Sequence, residues 1–294
     1  MPEKLRKIIM ILLAAVFAVS TALLIRHGFE TATSTEANEA AAEIAAQPRE
    51  NLTAKEREPN RPVPEETLPP EPVPTQPQME WAVAPVEDDE YMKMLKDINL
   101  EALREKNPAV VGWIFIPDCK INYPIVQGED NHYYLKHTWD NRQSAAGAIF
   151  MESTNEADFS DPRTILYGHN MSNSSMFSSL TRYDTEKNWK KYPYVYLVTD
   201  EGVLRYEIYS SYKAEVESGT YALELEDERY RSAFINMTKE EARYETGITP
   251  AVTDRLLTLS TCVGDAYARR VVHARLPMIQ VEVKTDSPQA ENLQ

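Results

Sequence analysis

This sequence predicts a mainly β fold, a closed or nearly closed barrel with helices inserted between its strands. Eight short runs rich in Val, Ile, Leu, Phe and Tyr recur between residues 110 and 276. Asp200-Glu201-Gly202 sits between two of them like a hairpin turn. Helical spacing is confined to a few short stretches. The 294 residues are 43% hydrophobic, enough to bury a core in one large domain or two small ones.

Along the chain, residues 8–25 (IIMILLAAVFAVSTALLI) come first, an uncharged apolar run of 18. At about 1.5 Å per residue, a helix of that length nearly crosses a hydrocarbon layer about 30 Å thick. Lys4, Arg6 and Lys7 precede it, which by the positive-inside rule puts residue 1 in the cytoplasm. A cleaved signal peptide begins the same way, but its apolar core is shorter, about 7–15 residues, and ends in small residues. Here Leu23, Leu24 and Ile25 carry the run to its end. The expectation is an uncleaved anchor over 1–30, crossing the cell membrane once, with the rest of the chain outside.

Residues 31–89 differ in kind. Ten of the nineteen prolines fall between Pro48 and Pro85, and residues 36–90 hold 14 acidic and 4 basic side chains. Such a stretch cannot bury enough apolar surface to offset its ordering entropy, so an extended, self-repelling spacer is expected. Residues 90–283 are expected to fold, and 284–294 to be a disordered tail.

Within 90–283 a helix is expected over 91–106, where Met94, Leu95, Ile98, Leu100 and Leu103 recur at helical spacing before Asn107-Pro108. The strand-like runs are 110–116, 123–126, 148–151, 164–167, 194–198, 205–212, 256–260 and 271–276. Helical interruptions are expected at 131–136, 175–181 and 228–245.

Composition excludes several functions. A net charge of −15 argues against nucleic acid as partner, because phosphate binding needs a basic footprint. Two cysteines, Cys119 and Cys262, make no disulfide framework, and no Cys/His cluster has zinc-ligand spacing. Neither a metal nor a cofactor is called for.

Few residues can carry chemistry. A cysteine nucleophile needs a proton carrier nearby and a group to stabilise an oxyanion. Cys262 follows the run 256–261 and so lies at a strand end, with Gly264-Asp265 after it; His169 likewise follows the apolar strand Thr164-Ile165-Leu166. Spacing alone leaves Cys262 open between a nucleophile and a buried structural thiol, and His169 open to being a turn residue.

Thr258-Leu259-Ser260-Thr261-Cys262 resembles the TLxTC motif of sortases, the cysteine transpeptidases of Gram-positive cell surfaces. Residues 111–117 (VGWIFIP) and 121–128 (INYPIVQG) are similar to the early strands of class B sortases. Residues 131–135 (NHYYL) resemble the short helix that follows. Residues 165–171 (ILYGHNM) with 176–180 (MFSSL) resemble the segment that holds the catalytic histidine. The likeness covers nearly all of 91–283, in the family's order.

The resemblance implies an eight-stranded sortase barrel, an N-terminal helical segment, and a further helix, here 228–245, before the nucleophile strand. It implies Cys262 as nucleophile, His169 as proton carrier, and an arginine on the next strand. Adjacent Arg269 and Arg270 must face opposite ways on a strand. The family's pattern in 269–275 (RRVVHAR) fits Arg269, with Arg270 as the alternative. Family position implies substrate contacts at Asn131, Leu135, Ser260 and Thr261; read as plain sequence, Leu135 could equally be core and Asn131 a helix cap.

Partners so implied are surface proteins with a C-terminal, NPQTN-like sorting signal and an amine of a peptidoglycan precursor. His27, His132, His137 and His273 have no partner pattern and are expected in surface or core roles. A secreted cysteine hydrolase using water, and a non-catalytic wall-binding domain, are the rival readings.

Overall fold

The computed structural model describes residues 3–48, 78–262 and 267–283. Most of the proline-rich part of the expected spacer and the tail 284–294 lie outside the described residues. In chain order the elements are α1 (Glu3–Ala45), β1 (Gln78–Val83), α2 (Glu90–Leu95), α3 (Leu100–Arg104), β2 (Val110–Ile116), β3 (Ile121–Gln127), β4 (Ile149–Met151) and β5 (Arg163–Tyr167). There follow α4 (Glu186–Lys191), β6 (Tyr194–Thr199), β7 (Gly202–Glu215), α5 (Glu228–Glu240), β8 (Arg255–Cys262), β9 (Ala268–Leu276) and β10 (Met278–Val283).

Eight strands close a barrel in the order β2-β3-β4-β5-β8-β9-β7-β6. They are the eight runs expected from the sequence, most of them with shifted ends. The barrel is mixed, because β3 pairs with β4 and β5 with β8 in parallel while the other pairs are antiparallel. Alternation along β8 and β9 sends Leu257, Leu259, Val272 and Ala274 into a core shared with Ile114, Ile125, Leu166 and Ile208.

The helix expected over 91–106 is broken in two. Asn99 caps α3, its Oδ1 accepting from the Ala102 amide, so the chain turns between Leu95 and Leu100. The expected interruptions at 131–136 and 175–181 are short 3-10 helices, Tyr133–Leu135 and Ser178–Asp184. α5 starts where expected, capped by Asp227, and stops at Glu240. It packs Phe234 and Ile235 against Tyr209 and Leu256 on the outside of the barrel.

The N-terminal expectation is corrected. Among the described residues no helix is long and apolar enough to cross a membrane. Residues 8–25 are not a separate spanning element but part of the 43-residue α1, which runs on through polar sequence to Ala45. Its C-terminal turns dock on the folded domain: Ala37, Ala41 and Ala45, at i, i+4 spacing, are fully buried. Trp139 Nε1 donates to the Ala37 carbonyl at 2.7 Å, and the Asn99 amide to that of Ala45 at 2.8 Å. The expected single-pass location in the cell membrane therefore does not stand. Helical structure also extends into the expected spacer as far as Ala45, and at its other end Gln78–Val83 pairs with β10 as a two-stranded ribbon.

Candidate active site

The ends of β5, β8 and β9 meet at one rim of the barrel. Tyr167 of β5 is the register partner of Ser260 on β8, and the Gly168 amide continues the pairing with a bond to the Ser260 carbonyl at 3.2 Å. Gly168 is required here. A Cβ on it would lie 2.8 Å from the Phe177 ring and 2.5 Å from Ile149 Cδ1. The chain thus hugs the core before delivering His169, whose carbonyl accepts from the Phe177 amide at 2.9 Å.

His169 is half-buried, and its Nε2 lies 2.8 Å from the Leu135 carbonyl. A carbonyl only accepts, so Nε2 is the donor and the ring's orientation is fixed. Cys262 ends β8 directly opposite Arg269 on β9, and Thr261 is opposite Arg270.

The two arginines part company. Arg269 borders a cavity of about 440 Å³ together with His169, Asn131, Leu135, Ser260 and Thr261. Arg270 does not border it. Its side chain is 6% exposed and its Nη2 lies 2.7 Å from Asp184 Oδ1 and 2.9 Å from Oδ2. Burial holds the Arg270 guanidinium below its ordinary range, opposed by the Asp184 charge. Clefts of about 540 and 790 Å³ lie elsewhere, against α5 and against α2 and α3, and neither is bordered by a cysteine or histidine. Chemistry, not volume, singles out the smaller cavity.

The remaining sequence candidates have definite places. Asn131 is not a helix cap; Asp130 Oδ1 takes the His132 and Tyr133 amides. Asn131 instead donates to Glu152 Oε1 at 2.5 Å and accepts the Ser153 amide at 2.9 Å. Leu135 borders the cavity, packs in part against the core, and gives its carbonyl to His169. Ser260 is buried, its Oγ 2.8 Å from the Tyr221 hydroxyl, and Thr261 is buried beside it. Cys119, by contrast, is a free, buried cysteine beside Tyr183, and burial raises its thiol pKa.

A family model described as the sortase domain matches residues 114–277. The sortase B of Staphylococcus aureus (strain NCTC 8325 / PS 47) is 31% identical over 168 residues, which is 57% of this chain and 68% of that protein. The chain belongs to the class B sortases. It is accordingly a cysteine transpeptidase of the kind that cleaves sorting signals. The solved Staphylococcus aureus sortase B–substrate complex is similar at a TM-score of 0.57 and 29% identity, covering 63% of this chain and 85% of that one. A sortase B complexed with triglycine is similar at a TM-score of 0.56 and 29% identity, covering 63% and 86%.

Glu152, Tyr167 and Tyr221 border the cavity of this sortase and escaped the sequence reading. Glu152, 5% exposed, follows β4 and accepts from both Asn131 and the Tyr167 hydroxyl, the latter at 2.8 Å. Tyr167 is pushed well above the ordinary phenol range, first by burial and then by the Glu152 charge. Tyr221 follows β7 and borders the same cavity. A carboxylate after an apolar strand, and a tyrosine before Gly-His, were the available signals for the first two. Nothing local marked Tyr221. Among the described residues no group of three or more His, Cys, Asp or Glu is arranged to hold a metal ion.

Proposed function

We propose that Cys262 attacks the carbonyl at the cleavage site of a sorting signal, with His169 carrying the proton and Arg269 stabilising the oxyanion. The observation that carries the reading is the single cavity that His169, Arg269 and the end of β8 border together. A thiolate is the competent attacker, and a protonated imidazole is needed to expel the amine. With Nε2 committed to the Leu135 carbonyl, Nδ1 is the nitrogen left to exchange that proton. A main-chain carbonyl rather than a carboxylate orients the ring, so no papain-like triad is invoked.

The tetrahedral oxyanion is held by the Arg269 guanidinium and a backbone N–H. Collapse leaves a thioester on Cys262, which an amine resolves while His169 accepts a proton. The acceptor is a peptidoglycan precursor amine and the donor an NPQTN-like signal of a surface protein; the relatives solved with substrate and with triglycine support this pairing. Asn131, Leu135, Ser260 and Thr261 contact the signal, and residues 90–283 act as the catalytic unit. Incubation with an NPQTN-like peptide, with and without triglycine, tests the reading. Amine-dependent ligation product is expected; acid product alone at all triglycine concentrations would favour a hydrolase.

A further inference from the structure

Arg163 carries a charge that the mechanism above does not use. It opens β5 and is 4% exposed. Burial lowers its pKa to about 10, which leaves the guanidinium protonated at neutral pH. None of the ion pairs among the described residues includes it. Its partners are two main-chain carbonyls on one turn: Nη1 donates to Thr220 O at 2.7 Å, and Nη2 donates to Ala222 O. Its Cζ stands 4.7 Å from the centroid of the Phe234 ring of α5. Carbonyl dipoles and a ring face replace the water that the cation gave up.

That turn is a wall of the substrate cavity. Gly219–Tyr221 forms a single 3-10 turn, and Tyr221 and Leu223 border the cavity together with His169 and Leu135. From the wall, the Tyr221 hydroxyl reaches Ser260 Oγ on the nucleophile strand. Thr220 Oγ1 meets the Tyr212 hydroxyl at 2.9 Å, and Tyr212 in turn meets His273 Nε2 at 3.2 Å. The wall has no regular pairing to the barrel at these residues, and Arg163 supplies two charge-assisted bonds to it.

We infer that Arg163 is a positioning residue whose guanidinium clamps the 219–223 wall to β5, the strand that leads to His169, and so sets the width of the substrate cavity. The inference rests on the proposed site, but the clamp itself has a readout that needs no substrate. Without it Tyr221 and Leu223 can swing away from a bound peptide. Contacts made equally in the ground and transition states are lost, which raises KM and spares kcat.

The test uses the full chain carrying Arg163→Met or Arg163→Lys, assayed with an NPQTN-like peptide, by hydrogen exchange over 219–223, and by iodoacetamide alkylation of Cys262. Arg163→Met is expected to raise KM about tenfold with kcat within about threefold. Exchange over 219–223 should speed up about tenfold, and alkylation should stay within about twofold. Lysine keeps the charge but not the fork, so Arg163→Lys should fall between wild type and Arg163→Met in both KM and exchange. If Arg163→Met fails to fold by circular dichroism, Arg163→Lys alone decides on the same two readouts. Unchanged KM, or unchanged exchange over 219–223, would overturn the clamp. Absence of peptide cleavage by wild type would overturn the proposed function instead, and exchange would still decide the clamp.

Discussion

Replacing each of the paired arginines with alanine should give two defects of different kinds. Arg269 borders the cavity and is half-buried, so on the proposed mechanism its loss takes away an oxyanion partner and little packing. Losing one such donor costs about 10²–10³ in kcat, about 2.7–4 kcal/mol of transition-state stabilisation. The fold should change by less than about 0.5 kcal/mol. Arg270 has the opposite profile. Breaking a buried ion pair by removing one partner costs about 3–5 kcal/mol. Three features reduce that here. The Asp184 side chain is 32% exposed, Arg243 remains 3.8 Å from it, and Arg270 Nε and Nη1 are buried without partners among the described residues. About 1–3 kcal/mol is the expected net loss. For a domain of this size that lowers Tm by several degrees, at about 2–4 °C per kcal/mol. The assay pairs thermal unfolding with kcat and KM on an NPQTN-like peptide. Arg269→Ala should melt like wild type and turn over at least about a hundredfold more slowly. Arg270→Ala should melt early and, below its Tm, turn over within about threefold of wild type. A thermally normal but inactive Arg270→Ala beside an active Arg269→Ala would refute the assignment.

Two further outcomes follow from the same packing. His273 is buried between Thr258 and Tyr212, and burial, with the Arg163 charge, lowers its pKa from 6.5 to about 3. Because the unfolded chain protonates first, this histidine's contribution is intact above about pH 6.5 and is lost as pH falls toward 3, at about 1.4 kcal/mol per unit. Urea unfolding at pH 7 and pH 5 should therefore differ by about 2 kcal/mol more in wild type than in His273→Gln; equal differences would contradict a neutral buried imidazole. At Gly168 an added methyl must displace Phe177 or Ile149, so Gly168→Ala should cost about 1–3 kcal/mol and shift His169. A fall of at least about tenfold in kcat is expected, and wild-type kinetics would argue against a fixed imidazole.

The barrel strands were legible because each is an apolar or alternating run bounded by turns, as with Val110–Ile116 and Tyr194–Thr199. β1 was not, because its short apolar stretch, Met79 and Trp81–Val83, stands between prolines at the end of a proline-rich acidic segment, and pairing with β10 makes a strand of it. The apolar run 8–25 read as a separate span because hydropathy does not show that its helix continues unbroken through polar residues to Ala45. The docking of Ala37 rests in part on Trp139, about a hundred residues on. At the site, residues adjoining strand ends could be named from motif order. Arg269 could be preferred over Arg270 only by family pattern; the Asp184 pair that occupies Arg270 joins residues 86 apart. Tyr221 and Arg163 were invisible for the same reason, since their partners are carbonyls and hydroxyls brought close only by closure of the barrel.

The central claim, that Cys262 carries the acyl group, is tested most directly by intact-mass analysis of the enzyme incubated with an NPQTN-like peptide and no amine. The expected result is one added acyl fragment, mapped by digestion to the peptide holding Cys262, discharged by triglycine, and absent in Cys262→Ala. An acyl group on Cys119, or peptide cleavage by Cys262→Ala at the wild-type rate, would contradict it.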